Sequence, residues 1–74
     1  MRRYSNLSGK SGVIGFEILP RAIKVWFQGG ECYLYDEAAP GLDHVKQMKA
    51  LAIQGAGLST YISQHVRERF AAKC

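Results

Sequence analysis

Apolar and polar residues alternate along the first half of this chain and recur at helical spacing along the second half. The alternation predicts three β-strands, at about residues 13–18, 22–28 and 31–36, because successive side chains of a strand point to opposite faces. Further along, apolar residues lie three or four positions apart, which predicts two helices at about residues 42–54 and 59–71. Strands followed by helices favour an α+β fold, in which a three-stranded antiparallel meander is covered on one face by the two helices.

The beginning of the chain lacks this periodicity. Residues 1–12 are polar and rich in glycine and serine, so we expect a mobile basic arm there, followed by a single domain over residues 13–74. Within the first strand, the alternation assigns one face to Val13, Gly15 and Glu17 and the other to Ile14, Phe16 and Ile18. The apolar stripe of the second helix comprises Leu58, Tyr61, Ile62, Val66 and Phe70.

Two glycines, Gly29 and Gly30, separate the apolar runs of the second and third strands, which predicts a β-hairpin. A loop of these two residues alone would pair Trp26 with Tyr33. The tyrosines would then share a face with Lys24, and an aromatic, cationic face of this kind can stack nucleic-acid bases.

A three-residue loop, Gly29-Gly30-Glu31, would shift the pairing by one residue and exchange the two faces of the hairpin. Phe27 would then lie opposite Tyr33, and Val25 opposite Tyr35. In this register both tyrosines join the core side of the sheet.

Short motifs follow one another in a characteristic order along residues 8–70. They comprise Ile14-Gly15-Phe16-Glu17, Ile23, Val25, Phe27, Gly30, Tyr33, Tyr35, Ile62, Val66, Arg67 and Phe70. This series resembles the KTSC domain, a family named for an extension at the C-terminus of some lysyl-tRNA synthetases and also found as a stand-alone bacterial protein. The chain departs from the family between Tyr35 and Pro40, which is one residue longer, and at Gly55-Ala56-Gly57, where the family has Ser-x-Gly.

The resemblance bears on both the hairpin and the function. The family has polar residues at the positions of Trp26 and Leu34, which favours the three-residue loop and leaves these two side chains as an outer apolar patch. Such a patch is typical of a contact with another protein or with a second copy of the chain. The resemblance also implies RNA binding, suggested by the tRNA-handling enzymes that carry the domain.

Charge agrees with a polyanionic partner. The 74 residues include ten basic and six acidic ones, for a net charge of +4. Arg67, Arg69 and Lys73 cluster near the end of the predicted second helix, where cations either complement the helix dipole or contact phosphates. The predicted nucleic-acid-binding residues are Arg67, Arg69, Lys73, Lys24, Tyr33 and Tyr35.

Catalytic and metal-binding motifs are not recognisable. The chain has no G-x-S-x-G motif, and the adjacent acids Asp36 and Glu37 would point to opposite faces of a strand. Residues able to bind zinc lack the paired short separations of a zinc site; they are Cys32, His44, His65 and Cys74. We therefore expect no catalytic residues, no metal and no cofactor.

The expected location is the cytoplasm. No run approaches the roughly 18 apolar residues that a membrane span needs, so we expect no membrane partner. Two cysteines, one in a strand and one at the C-terminus, are expected to be free thiols. The predicted function is a non-catalytic binding module for RNA, in particular tRNA-related RNA. The alternative is a protein-interaction or homodimerisation module that uses the Trp26 and Leu34 patch.

Overall fold

The sheet has five antiparallel strands whose order in space follows their order in the chain. We describe it from a computed structural model that covers residues 1–74. The strands are β1 (Arg2–Arg3), β2 (Val13–Leu19), β3 (Ala22–Phe27), β4 (Cys32–Asp36) and β5 (Ala72–Lys73). The predicted α+β class is confirmed, but the predicted number of three strands is wrong. The two additional strands have two residues each and flank the sheet, and pairs this short leave no alternation in the sequence.

Two helices follow β4 and cover one face of the sheet. Helix α1 spans Leu42–Gln54, and helix α2 spans Leu58–Tyr61 and continues directly into a π-helical turn at Ile62–Val66. Between them, Gly55 adopts a left-handed conformation (φ 83°) and donates its N–H to the Leu51 carbonyl at 2.9 Å, which ends α1. No helix is both long and apolar enough to cross a bilayer.

The second helix is shorter than predicted. It ends at Val66 rather than near residue 71, because Arg67 adopts a positive φ of 56° and turns the chain back toward the sheet. Phe70 continues the helical spacing of apolar residues, but it packs against the side of the core after this reversal. The apolar stripe therefore identified a buried face correctly and misplaced the end of the helix.

The core lies between the sheet and the helices. Strands β2 to β4 contribute Phe16, Ile23, Val25 and Tyr35, and the helices contribute Val45, Met48, Ala52, Leu58, Ile62 and Val66. Tyr4 and Val13 complete the buried cluster. No residue beyond Val66 belongs to it, so the last eight residues lie outside the core proper.

A bulge in β2 changes the predicted faces of that strand. Val13 pairs with Phe27 and Gly15 pairs with Trp26, so that Ile14 has no partner of its own. Val13 is therefore buried (1% exposed) on the helix side, and Ile14 is 39% exposed. The predicted grouping of Val13 with Gly15, on the face opposite Phe16, is thus wrong: Val13 shares the core side with Phe16, because strict alternation does not hold across an extra residue.

The β3–β4 hairpin has a three-residue loop, as the resemblance favours. The loop is Gln28-Gly29-Gly30, however, and not the predicted Gly29-Gly30-Glu31. Phe27 donates its N–H to the Glu31 carbonyl at 2.8 Å, and Val25 pairs with Tyr33 rather than with Tyr35. This pairing differs from the predicted one by two residues. A shift of two keeps every side chain on its face, so the prediction that Tyr33 and Tyr35 lie on the core side is confirmed.

The first residues of the chain lie within the fold. Arg2 pairs with Phe16 in the sheet, and Tyr4 is 3% exposed in the core. The Tyr4 hydroxyl accepts a hydrogen bond from the Leu58 N–H at 3.3 Å. Leu7 donates its N–H to the Gly55 carbonyl at 2.8 Å. The structural domain therefore begins near residue 2, not at residue 13.

Cys32 and Cys74 form a disulfide bond. The expectation that both cysteines are free thiols is therefore wrong. Cys74 donates its backbone N–H to the Cys32 carbonyl at 2.9 Å, so the two residues face each other across β4 and β5. The pairing depends on β5, which the sequence pattern does not reveal.

Replacement of Tyr4 tests whether the N-terminal residues support the core. We expect Tyr4→Ala to lower the free energy of unfolding by about 3–5 kcal/mol, as for other buried aromatic truncations. Leu7→Ala is the control, since Leu7 is 71% exposed, and it should change stability by less than about 0.5 kcal/mol. Urea denaturation of both variants measures this difference. Equal, small effects would show that residues 1–12 are an independent arm.

Candidate functional site

The largest apolar depression of the surface lies where the β3–β4 hairpin meets the end of the chain. We call it the aromatic groove. It has a volume of about 570 Å³, within the range of small-ligand sites. Its lining residues are Phe27, Glu31, Tyr33, Tyr35, Ile62, Arg67, Glu68, Phe70 and Lys73.

The two walls of the groove differ in origin. One wall belongs to the hairpin, with Tyr33 and Tyr35 on the helix side of β4. The other wall is formed by residues 67–74, which we call the C-terminal segment. This segment leaves the π-helical turn, runs back along the hairpin and ends as β5, where Lys73 pairs with Tyr33. A groove therefore forms where a helix ends early and the chain reverses.

Three aromatic rings are clustered along the groove. The Tyr33 ring lies 5.7 Å from the Phe27 ring in an edge-to-face arrangement and 4.6 Å from the Phe70 ring, measured between centroids. Pairs at these distances attract each other beyond their burial. Tyr33 is partly exposed between its two neighbours, and so the cluster presents one tyrosine ring to a ligand.

The Tyr33 hydroxyl donates a hydrogen bond to the Glu31 carboxylate. This hydrogen bond raises the pKa of Tyr33 above its ordinary value, and burial and the charges of Glu31 and Glu68 add to the increase. Tyr33 therefore stays protonated over the physiological range and acts as a hydrogen-bond donor. Its ring is also held in place by this bond.

Tyr35 lies at the floor of the groove and is 2% exposed. The hydroxyls of Tyr4, Tyr33 and Tyr61 each have a partner within the chain, whereas the Tyr35 hydroxyl has none. Burial raises the pKa of Tyr35 to about 12, and the neighbouring Tyr33 adds to this. A neutral hydroxyl without a partner thus faces the groove, where a ligand can hydrogen-bond to it.

Two cations border the groove without a partner in the chain. The one ion pair of the structure joins Arg21 to Glu37, so Arg67 and Lys73 are left unpaired. Arg67 also has an unusual backbone for a non-glycine residue (φ 56°, ψ −123°) and follows a π-helical turn. Backbone strain and π-helical turns both occur preferentially at functional sites. The groove thus combines aromatic rings with two cations that form no ion pair and with the carboxylates of Glu31 and Glu68.

The structure separates the other two predicted basic residues from this pair. The Arg69 guanidinium donates hydrogen bonds to the carbonyls of His65 and Val66, so it caps the end of the helix. It lies beside a second, polar groove behind the C-terminal segment, which is lined by Gln64, His65, Arg67, Glu68 and Arg69. Lys24 lies opposite Leu34 on the outer face of the sheet, away from the helices.

Four of the six predicted nucleic-acid-binding residues are thus brought together, namely Arg67, Lys73, Tyr33 and Tyr35. The sequence did not indicate the contributions of Phe27, Phe70, Glu31 and Glu68. Phe70 lies in the predicted apolar stripe of the second helix, and the contributions of Phe27 and Glu31 depend on the hairpin register. The contribution of Glu68 depends on the reversal of the chain after Val66. An even number of cysteines was the one available signal for the reversal of the C-terminal segment.

The outer face of the sheet carries the predicted partner patch. Trp26 pairs with Cys32, and Leu34 pairs with Lys24, all on the side opposite the helices. Trp26 and Leu34 are both partly exposed, and no helix covers them. The disulfide lies on this same face, next to Trp26.

The residues considered for zinc binding do not converge. Cys32 and Cys74 are bonded to each other, and the His44 ring nitrogen Nδ1 lies 2.8 Å from the Tyr61 hydroxyl. No group of three or more potential metal-binding side chains is present.

Comparison of the chain with models of known families, with curated proteins and with solved structures finds no match. The resemblance to the KTSC domain therefore continues to rest on the matching residues alone.

The raised pKa of Tyr35 predicts a loss of stability at high pH. Below about pH 10 the tyrosine is protonated in both the folded and the unfolded states, but above it the unfolded state releases the proton first. With a pKa of about 12 in the folded state, we expect about 1.4 kcal/mol of stability to be lost between about pH 9 and about pH 11.

Urea denaturation of the wild type and Tyr35→Phe at these two pH values isolates this contribution. The variant should lose less stability than the wild type by that amount, since phenylalanine does not titrate. Equal losses in the two proteins would contradict a raised Tyr35 pKa.

Proposed function

We propose that the protein is a non-catalytic binding module for single-stranded RNA and that the aromatic groove is its binding site. The observation that carries this proposal is the meeting of two unpaired cations, Arg67 and Lys73, with the exposed ring of Tyr33 in one groove. Proteins that bind single strands combine a positive groove with aromatic rings on which bases stack.

The shape of the groove favours an unpaired strand over a duplex. Tyr33 and Phe70 lie inside a depression, where a base can reach them only if it is unstacked and turned away from its neighbours. A volume of about 570 Å³ accommodates a nucleotide but not the width of a double helix. In this arrangement Tyr33 and Phe70 stack the base, and Arg67 and Lys73 contact the flanking phosphates.

The acidic residues of the groove fit this assignment. The carboxylates of Glu31 and Glu68 border the same space as the two cations, and carboxylates accept hydrogen bonds from the exocyclic amines of bases. The Tyr35 hydroxyl at the floor offers a further donor or acceptor. Cations would hold the phosphates and the remaining polar groups would contact the base edge.

The resemblance to the KTSC domain supports a tRNA-related RNA as the partner. It also supports a cytoplasmic location, which remains part of this proposal. The expected free thiols do not support that location, because Cys32 and Cys74 form a disulfide, and disulfides are more usual in oxidising compartments.

Titration of a fluorescein-labelled, single-stranded RNA of about 12 nucleotides tests the proposal, since this length is within the usual site size. We expect binding that weakens with salt. Arg67→Ala combined with Lys73→Ala should reduce the slope of log affinity against log salt by about 1.4, or about 0.7 for each lost phosphate contact. Phe70→Ala should cost about 1–3 kcal/mol of binding free energy.

Arg21→Ala provides the matched control. Arg21 is a surface cation at the far end of β3 from Phe27 and outside the groove. It should leave the salt slope unchanged if the charge must be in the groove to act. An absence of RNA binding at low salt would contradict the proposal. So would a salt slope that Arg21→Ala reduces as much as the double variant of Arg67 and Lys73 does.

A second candidate function is a protein contact through the outer face. The supporting observation is that Trp26 and Leu34 lie on a sheet face that no helix covers. Partly exposed apolar side chains in such a position suit a second copy of the chain or another protein.

Light scattering at high protein concentration tests self-association through this patch. If the protein dimerises there, Trp26→Ser should convert the dimer to a monomer. Ile53→Ser is the control, since Ile53 is 58% exposed on α1 and its loss should leave the mass unchanged. A wild-type protein that remains monomeric would exclude the homodimer.

A further inference from the structure

The C-terminal segment supplies one wall of the aromatic groove and is held to the sheet by few contacts. It carries Arg67, Phe70 and Lys73 into the groove. Its backbone bonds to the hairpin include those from the Ala71 N–H to the Leu34 carbonyl at 2.8 Å and from the Cys74 N–H to the Cys32 carbonyl at 2.9 Å. These two bonds flank strand β5, which has only two residues.

The segment contributes little burial of its own. Every residue of 67–74 is exposed apart from Phe70, which is partly buried against Tyr33. The buried core is complete at Val66. A segment with few apolar contacts and exposed backbone hydrogen bonds opens at low free energy, independently of the rest of a domain.

The disulfide is the strongest attachment of this segment. It joins Cys74, the last residue, to Cys32 in β4, and the bonded pair spans 42 positions of the chain. Cys74 is exposed and Cys32 is buried (7% exposed). A covalent bond at the end of a weakly held segment determines whether that segment can leave.

We propose that the Cys32–Cys74 disulfide is a redox latch that holds the aromatic groove closed on its C-terminal side. In the oxidised protein the C-terminal segment completes the groove. In the reduced protein the segment detaches and removes Phe70 and Lys73, while the sheet and both helices remain folded. The effect of the latch on RNA binding rests on the proposed function. The release of the segment on reduction does not.

The chemical step is thiol–disulfide exchange with a dithiol. A thiolate of the dithiol attacks the exposed Cys74 sulfur, a mixed disulfide forms, and Cys32 leaves as a thiolate. The second thiol of the reagent, as its thiolate, then attacks the mixed disulfide and releases Cys74. The dithiol loses two electrons and two protons and becomes a disulfide, and the protein gains two thiols.

Hydrogen–deuterium exchange of the full chain, with and without dithiothreitol, tests the release without any ligand. On reduction, we expect the amides of Ala71 and Cys74 to exchange at the rate of an unstructured chain. The amides of Ile23 and Val25, at the centre of the core, should stay protected. The double variant Cys32→Ser, Cys74→Ser should match the reduced protein and should not respond to dithiothreitol.

Titration with the single-stranded RNA described above tests the functional part. Reduction should weaken binding about tenfold, because a stacking ring and a phosphate contact are lost. The double variant should bind weakly in both conditions.

The outcomes separate the two proposals. Continued protection of Ala71 and Cys74 after reduction would overturn the latch, whether or not RNA binds. Loss of protection at Ile23 and Val25 would also overturn it, because the disulfide would then support the whole domain. Release of the segment with unchanged RNA affinity would overturn its control of binding. Release in a protein that binds no RNA in either state would support the latch and contradict the proposed function.

Discussion

The pairing of β3 with β4 is the constraint on which the rest of the molecule depends. Because the loop has three residues, Val25 lies opposite Tyr33 and Ile23 opposite Tyr35. This register places the tyrosines under the helices and leaves Trp26 and Leu34 on the open face. A shift of one residue would exchange these sets, exposing Tyr33 and Tyr35 and turning Trp26 toward the helices. The sheet side of the core, the hairpin wall of the groove and the outer patch are therefore consequences of a single turn.

A second local event determines what the groove contains. The helix ends at Val66 without a glycine or proline, through a π-helical turn and a positive φ at Arg67. Such a conformation costs about 1–3 kcal/mol at a non-glycine residue and persists only where surrounding contacts compensate. Three contacts compensate here: Arg69 caps the helix, Phe70 packs on Tyr33, and Cys74 is bonded to Cys32. The same contacts that stabilise the reversal form the wall of the groove.

The limits of sequence-based prediction follow from the same features. The strands β2 to β4 and helix α1 were predictable, since each has a strong periodic pattern that local backbone geometry enforces. The bulge at Ile14, the strands β1 and β5 and the end of the second helix were not, because each depends on tertiary contacts rather than on spacing. Phe70 illustrates the difference: its spacing from Val66 fits a helix equally well, and only the contact with Tyr33 decides otherwise. For the site, residue types pointed to Arg67, Lys73, Tyr33 and Tyr35, but their meeting in one groove depends on the chain reversal.

Position, more than net charge, decides what the basic residues can do. The Arg69 guanidinium donates hydrogen bonds to carbonyls at the end of the helix, and Arg21 is paired with Glu37. Arg67 and Lys73 have no such partners, and both line the same groove as the Tyr35 hydroxyl, which also lacks one. Unpaired groups of this kind gain most from a ligand, because no internal bond has to be broken before the new one forms. Arg69 is bonded to the helix end, whereas Arg67 and Lys73 are unpaired, and a count of charges does not show this difference. The difference distinguishes the groove from an ordinary solvated helix end.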